Sequence, residues 1–84
     1  MIIELQTKNN AVIAEIKNVN GDIPRIGETI NIKQHIEGHL ETNDFMVIDV
    51  QYSLDDNKLT PVITCKEYAT EQNRNDLLKS QGWI

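Results

Sequence analysis

Apolar and polar residues alternate with a period of two along much of the first 67 residues, a pattern typical of half-buried β-strands. Two short runs, "MIIELQT" and "AVIAEIKN", flank the residues "KNN". Asparagine tolerates the left-handed backbone of a tight loop, so the pattern predicts strands one and two as a hairpin. The following stretch, "VNGDIPRIGE", collects turn formers that continue neither a strand nor a helix.

A longer alternation begins at Thr29 and predicts strands three and four. The apolar or small face of the third strand holds Ile30, Ile32, Gln34, Ile36, Gly38 and Leu40. In the fourth strand one face holds Met46, Ile48, Val50, Tyr52 and Leu54, and the other holds Phe45, Val47, Asp49 and Gln51. A hairpin turning at residues 42 to 44 would pair Leu40 with Met46, Gly38 with Ile48, Ile36 with Val50 and Ile32 with Leu54.

The segments "DDNK" and "LTPVITCKE" predict a turn and a fifth strand, in which Pro61 lies near an edge or a strand start because it has no backbone donor. Five strands in this order predict a mainly β fold, a small and partly open antiparallel barrel with a protruding hairpin. A length of 84 residues predicts a single domain over 1–84, with the barrel in 1–67.

The C-terminal segment predicts an α-helix within 70–82 that covers one end or edge of the barrel. Thr70 can cap it, Lys79 falls in its last turn, and Gly82 follows as a left-handed stop. A hydrophobic contact between Trp83 and Leu78 would accompany that stop.

The chain carries a net charge of −5, and all of the excess lies in residues 35–60. Residues 1–34 and 61–84 each sum to zero. The middle segment holds Glu37, Glu41, Asp44, Asp49, Asp55 and Asp56 against Lys58 alone. Phosphate backbones are bound mainly by Lys and Arg, so direct nucleic-acid binding is not expected, whereas a larger protein with a basic surface is the expected partner.

Cysteine content and hydropathy indicate the cellular compartment in which the protein is expected. A single cysteine, Cys65, excludes an intramolecular disulfide, and the N-terminus lacks the basic flank and cleavage pattern of a secretory signal. No apolar run exceeds four residues, which excludes a membrane-spanning helix. The sequence therefore predicts a cytoplasmic protein, and no motif calls for a cofactor.

At "IPRIGETINI", "FMVIDVQYSL" and "LTPVI" the chain resembles small five-stranded OB-like or SH3-like barrel proteins common among phages and other mobile elements. The resemblance covers about residues 23 to 63. The chain departs from that pattern in its longer connection, "QHIEGHLE", so a protruding hairpin is expected there. The resemblance implies a small accessory or inhibitory binding protein.

The stretch "HIEGHLETND" carries the densest set of candidate ligands. On an extended strand His35, Glu37, His39 and Glu41 share one side at steps of about 6.6 to 7 Å. In the predicted register Asp49 lies opposite Glu37, so a divalent metal could be held by His35, Glu37, His39 and Asp49. The favoured interpretation is a solvated or partner-contacting face, with the metal site as the alternative and acid–base catalysis as the weakest one.

The predicted partner-contacting residues are His35, Glu37, His39, Glu41, Asp44, Asp49, Asp55 and Asp56. Asp55 and Asp56 also suit a turn without any further role. Arg25, in a Pro- and Gly-containing loop, is an alternative anion ligand. Cys65 is interpreted as a small buried hydrophobe rather than a nucleophile.

These patterns favour a non-catalytic binding module that docks an acidic hairpin on a basic surface, such as the nucleic-acid groove of a larger host protein. One alternative is a small-ligand or nucleotide-signal binder, a sponge, with a pocket between protomers. Another is a virion or structural accessory protein. An enzyme is not expected, and homo-oligomerisation through an edge strand is possible in every case.

Overall fold

The computed structural model describes residues 1–34, 36, 42–68, 71–80 and 82. These form five β-strands and one α-helix, which confirms a mainly β fold with a C-terminal helix. The strands are β1 (Ile2–Gln6), β2 (Val12–Ile16), β3 (Thr29–Asn31), β4 (Asp44–Asp55) and β5 (Lys58–Glu67), and the helix is α1 (Glu71–Ser80).

The strands form a curled half-barrel with the order β2-β1-β5-β4-β3. Three neighbouring pairs are antiparallel, but β1 and β5 are parallel. The expectation of a wholly antiparallel barrel is therefore wrong at its centre. Parallel pairing needs a long connection, and here β2, β3 and β4 all lie between the two parallel strands in the chain.

The first predicted hairpin is confirmed. β1 and β2 pair antiparallel with Leu5 opposite Ala14. In the loop between them, the Thr7 amide donates to the Ala11 carbonyl at 2.8 Å, and Asn10 adopts the left-handed region with a φ of 69°. Asparagine is among the few residues that occupy this region at low cost, which explains its place in the loop.

The third strand is much shorter than predicted, and its register differs. Asn31 pairs with Asp44, and the Ile32 amide donates to the Asn43 carbonyl, so the pairing of Ile32 with Leu54 is wrong. Met46 lies between β3 and β5 and cannot pair with Leu40. The physical reason is that residues 43 and 44, which were expected to form the turn, instead pair with Ile32 and Asn31, and this sets the offset of the whole β3–β4 ladder.

A β-bulge changes the predicted faces of the fourth strand. Val47 pairs with Cys65 and Asp49 with Thr64, so Ile48 is an extra residue that reverses the alternation. As a result the core face holds Phe45 and Val47 before the bulge and Val50, Tyr52 and Leu54 after it. The hydrophobic core consists of Ile3, Leu5, Ile32, Phe45, Val47, Ile63 and Cys65.

The turn between β4 and β5 has two central residues, and both have positive φ values, 48° for Asp56 and 62° for Asn57. That is the backbone of a type I′ hairpin turn. Pro61 lies at an edge, as predicted, because β1 accompanies β5 only from the Ile2 and Val62 pair onward.

The C-terminal helix is confirmed within its predicted bounds. The Gly82 amide donates to the Lys79 carbonyl at 3.0 Å, and Gly82 has a φ of 79°, which matches the predicted left-handed stop. Thr70 and Trp83 lie outside the described residues. The covering of one end or edge of the barrel by this helix stays a prediction.

Candidate functional site

The predicted histidine and carboxylate face falls mostly outside the described residues. His35, Glu37, His39 and Glu41 all belong to that group. The described neighbour Asp44 is half-buried at the start of β4, and its Oδ1 accepts a hydrogen bond from Asn31 Nδ2 at 2.6 Å. Its amide donates to Thr42 Oγ1 and its carbonyl accepts from the Tyr68 amide. Asp44 therefore has a structural role at the junction of β3, β4 and β5.

Asp49 does not lie in the predicted register. Asp49 is opposite Thr64 of β5. The observed β3–β4 register also differs from the predicted one, in which Asp49 was opposite Glu37. Within the described ranges no group of three or more metal-ligating side chains occurs. The proposed ligand set of His35, Glu37, His39 and Asp49 stays a prediction without support from the observed register.

The β4–β5 hairpin brings together the remaining predicted contact residues, Asp55 and Asp56, with a set of exposed apolar side chains. Tyr52, Leu54 and Leu59 are 55%, 69% and 61% exposed. Leu54 and Leu59 are directly opposite each other, and Tyr52 is opposite Pro61. We call Tyr52, Leu54, Leu59 and Pro61 the hairpin face.

The hairpin face is a continuation of the core face beyond the end of the core. Residues at alternate positions of a strand lie on one side of the sheet, so Leu59 and Pro61 lie on the same side as the buried Ile63 and Cys65. β1 pairs with β5 only from Val62 to Lys66. Residues 58 to 61 of β5 therefore extend past β1. Apolar side chains that elsewhere in the strand form the core are exposed at this end.

The turn at the end of the hairpin face is negatively charged. Asp55 and Asp56 are exposed. The next charged residue, Lys58, is opposite Asp55 in the backbone register of the β4–β5 ladder. Neither carboxylate has a hydrogen bond or ion pair with another described residue. The arrangement combines an apolar surface with acidic groups that are open to a cation.

Arg25 lies in a fixed, exposed loop. Its amide donates to Glu28 Oε1, and the Glu28 amide donates to the Arg25 carbonyl at 3.1 Å. The loop is joined to β4 because the Gly27 amide donates to the Val47 carbonyl and the Val47 amide to the Glu28 carbonyl. These bonds hold the backbone and leave the guanidinium group at the surface, so anion binding by Arg25 stays an alternative.

Cys65 is fully buried in the core, as predicted. Burial raises the pKa of its thiol to about 12, because the thiolate would lose its hydration. The thiol is therefore protonated at neutral pH and does not suit nucleophilic chemistry.

Sequence reasoning missed the hairpin face because it assumed one unbroken alternation through the fourth strand. The signal that could have located the face is the apolar run "FMVI", Phe45 to Ile48. Four apolar residues in a row interrupt the alternation of an otherwise half-buried strand. One extra residue, a β-bulge, would explain them, because the apolar positions before and after it then lie on the same face. After the phase change, Tyr52 and Leu54 fall on the core side without a core to cover them.

Comparisons with protein-family models, with curated proteins and with solved structures found no match to this chain. None of the helical segments in the described ranges is long and apolar enough to cross a bilayer.

Proposed function

We propose that this chain is a non-catalytic binding module that docks the β4–β5 hairpin on a larger protein. The observation that carries the proposal is the hairpin face, on which Tyr52, Leu54 and Leu59 are each more than half exposed. Scattered single apolar residues at a surface need no explanation, but a contiguous set on one paired hairpin is typical of an interaction site.

The chemistry of the hairpin defines the surface that it fits. A Tyr and two Leu side chains favour an apolar groove, in which an aromatic anchor buries a large area at a low cost in conformational entropy. Asp55 and Asp56 at the turn favour Lys or Arg at the end of that groove. The expected contact is therefore an apolar groove with a basic end.

The charge layout of the chain supports the same kind of partner. The net charge of −5 resides in residues 35–60, which include the hairpin turn. The resemblance to mobile-element barrels adds a host protein with a nucleic-acid groove as a candidate partner. A basic groove of that kind attracts acidic surfaces at long range and speeds association.

The test is an affinity capture from the native host with mass spectrometry, using matched variants of the full chain. Leu54→Ser with Leu59→Ser should abolish capture of any specific partner, and Val12→Ser is the control because Val12 is also more than half exposed, at 59%, but lies on β2. Circular dichroism would verify that every variant folds. A partner retained by the double variant would refute docking through the hairpin face.

The acidic turn is tested separately. Asp55→Asn with Asp56→Asn removes two charges while keeping side chains that tolerate a turn. The expected result is weaker capture with a reduced salt dependence, since exposed charges act mainly through screened attraction. Asp22→Asn, at an exposed position in another loop, is the control and should change neither.

A further inference from the structure

A cleft of about 310 Å³ lies on the opposite side of β5 from its pairing with β4. One wall is formed by the start of β1 and the end of the β1–β2 hairpin, at Met1, Ile2, Lys17 and Asn18. The other wall is residues 58–61 of β5. This volume is at the lower end of those found for ligand sites.

The cleft exists because β5 extends past its parallel neighbour. β1 pairs with β5 from the Ile2 and Val62 pair onward, so residues 58–61 have no strand beside them on that edge within the described chain. In an antiparallel ladder the bonding groups alternate between the two edges. Asp55 and Lys58 flank the tight turn and bond each other, which leaves the amide and carbonyl of Leu59 directed at the open edge.

Pro61 restricts how this edge can be used. It is the next residue whose backbone is directed at the cleft, and it has no amide hydrogen to donate. An incoming strand could therefore bond both groups of Leu59 but neither group of Pro61, because the carbonyl of Pro61 already faces the Ile2 amide in the parallel pairing of Ile2 with Val62. Such an edge resists indiscriminate strand pairing while keeping one complete bonding position.

The side chains at the cleft are basic in an acidic protein. Lys17 and Lys58 both line it, and its described lining contains no carboxylate. Glu15 Oε1 is 3.8 Å from Lys17 Nζ, with the side chains of Glu15 and Lys17 47% and 69% exposed, and Asp55 is opposite Lys58 in the β4–β5 ladder. A pair at that distance and exposure leaves Lys17 free to contact a second anion.

We propose that this cleft binds an extended peptide segment with acidic side chains, contributed by another protein. The backbone of the segment pairs with Leu59, and its carboxylates contact Lys17 and Lys58. The strand edge favours a peptide and the two lysines select its charge, which is the usual division of labour in strand addition. Leu59 and Pro61 belong to both the cleft and the hairpin face, but the peptide bonds the backbone of Leu59 and not its side chain, so this proposal does not depend on the proposed docking function.

The test uses the full chain labelled with ¹⁵N and a blocked Val-Glu-Val-Glu-Val peptide as the probe. The expected result is a saturable shift of the Leu59 amide resonance, because that amide donates to the peptide. Lys17→Gln and Lys58→Gln should each weaken binding about threefold, in the range of exposed ion pairs. Lys33→Gln is the control, since Lys33 is exposed beyond β3, and it should leave the affinity unchanged.

Four outcomes would overturn the proposal. The first is the absence of any shift at Leu59 at saturating probe, and the second is an equal shift with a Val-Lys-Val-Lys-Val peptide. The third is the same shift with succinate alone, which would make the cleft a general anion site. The fourth is a shift that depends on protein concentration without any probe, which would assign the cleft to a second copy of this chain.

Discussion

The two leucines Leu5 and Leu54 differ in their predicted importance for stability. Leu5 is fully buried in the core of the sheet, whereas Leu54 on the hairpin face is 69% exposed. Replacing each by alanine removes the same three carbon atoms. The comparison therefore isolates the environment of the side chain from its chemistry.

The magnitudes follow from the two burial values. Core Leu→Ala substitutions cost about 2 to 5 kcal/mol, because they lose apolar burial and leave a cavity. Full burial of a leucine is worth about 1.5 to 3 kcal/mol, and Leu54 buries only about a third of its surface. Leu54→Ala should then cost about 0.5 to 1 kcal/mol, at least about 1 kcal/mol less than Leu5→Ala.

The assay is unfolding by urea, followed by circular dichroism and by Trp83 fluorescence, with the free energy of unfolding taken from transitions of equal slope. Ile63→Val supplies a smaller core reference, at about 1 kcal/mol for one carbon atom, if Leu5→Ala does not fold. An equal loss of stability in Leu54→Ala and Leu5→Ala would refute the reasoning. It would mean that the hairpin face is packed within the core and is not available to a partner.

Two further predictions concern the turn and the buried thiol. Asn57→Ala should lower the free energy of unfolding by about 1 kcal/mol, because alanine is disfavoured at the φ of 62°. Asn57→Gly should not lower it, and thermal unfolding of both variants tests the difference. Since the pKa of Cys65 rises from 9.0 to about 12 on folding, the unfolded thiol loses its proton first as the pH rises. The wild type should lose stability from about pH 9 upward relative to Cys65→Val, by up to about 1.4 kcal/mol per pH unit, and parallel stability curves for the two proteins would contradict the burial of this group.

The local features of the fold could be predicted from the sequence because each depends on a few neighbouring residues. The "KNN" loop and the "DDNK" turn place Asn and Asp at left-handed positions, and Gly82 ends the helix for the same backbone reason. The β-strand content followed from the alternation of apolar residues. These features depend on local sterics and on the two faces of a strand, both of which can be read from one sequence.

The partners of each strand could not be predicted in the same way. β4 has a neighbour on each edge, β5 on one and β3 on the other, and the tight Asp56-Asn57 turn fixes only the register with β5. The parallel contact of β1 with β5 joins segments that are distant in the chain and have no turn between them. Such choices depend on total burial in the assembled sheet rather than on any short motif.

The candidate site was predicted only in part, and for the same reason. Asp55 and Asp56 were identified through their charge, which is visible in the sequence. The apolar half of the hairpin face was missed, because its exposure results from the bulge after Val47 and from the start of β1 at Ile2, opposite Val62. The Asp49 and Glu37 pairing stays a prediction without support, because it assumed an alignment that differs from the observed β3–β4 register, in which Asn31 is opposite Asp44.

The most direct test of the hairpin face as a docking surface is photo-crosslinking inside the native host. A benzophenone amino acid replaces Tyr52 in one variant and Val12 in another, since the two side chains are similarly exposed, at 55% and 59%. We expect irradiation to join the chain through position 52 to one discrete protein, and to give no such product through position 12. No product at position 52, or the same product from both positions, would contradict the proposal that this chain binds its partner through the β4–β5 hairpin.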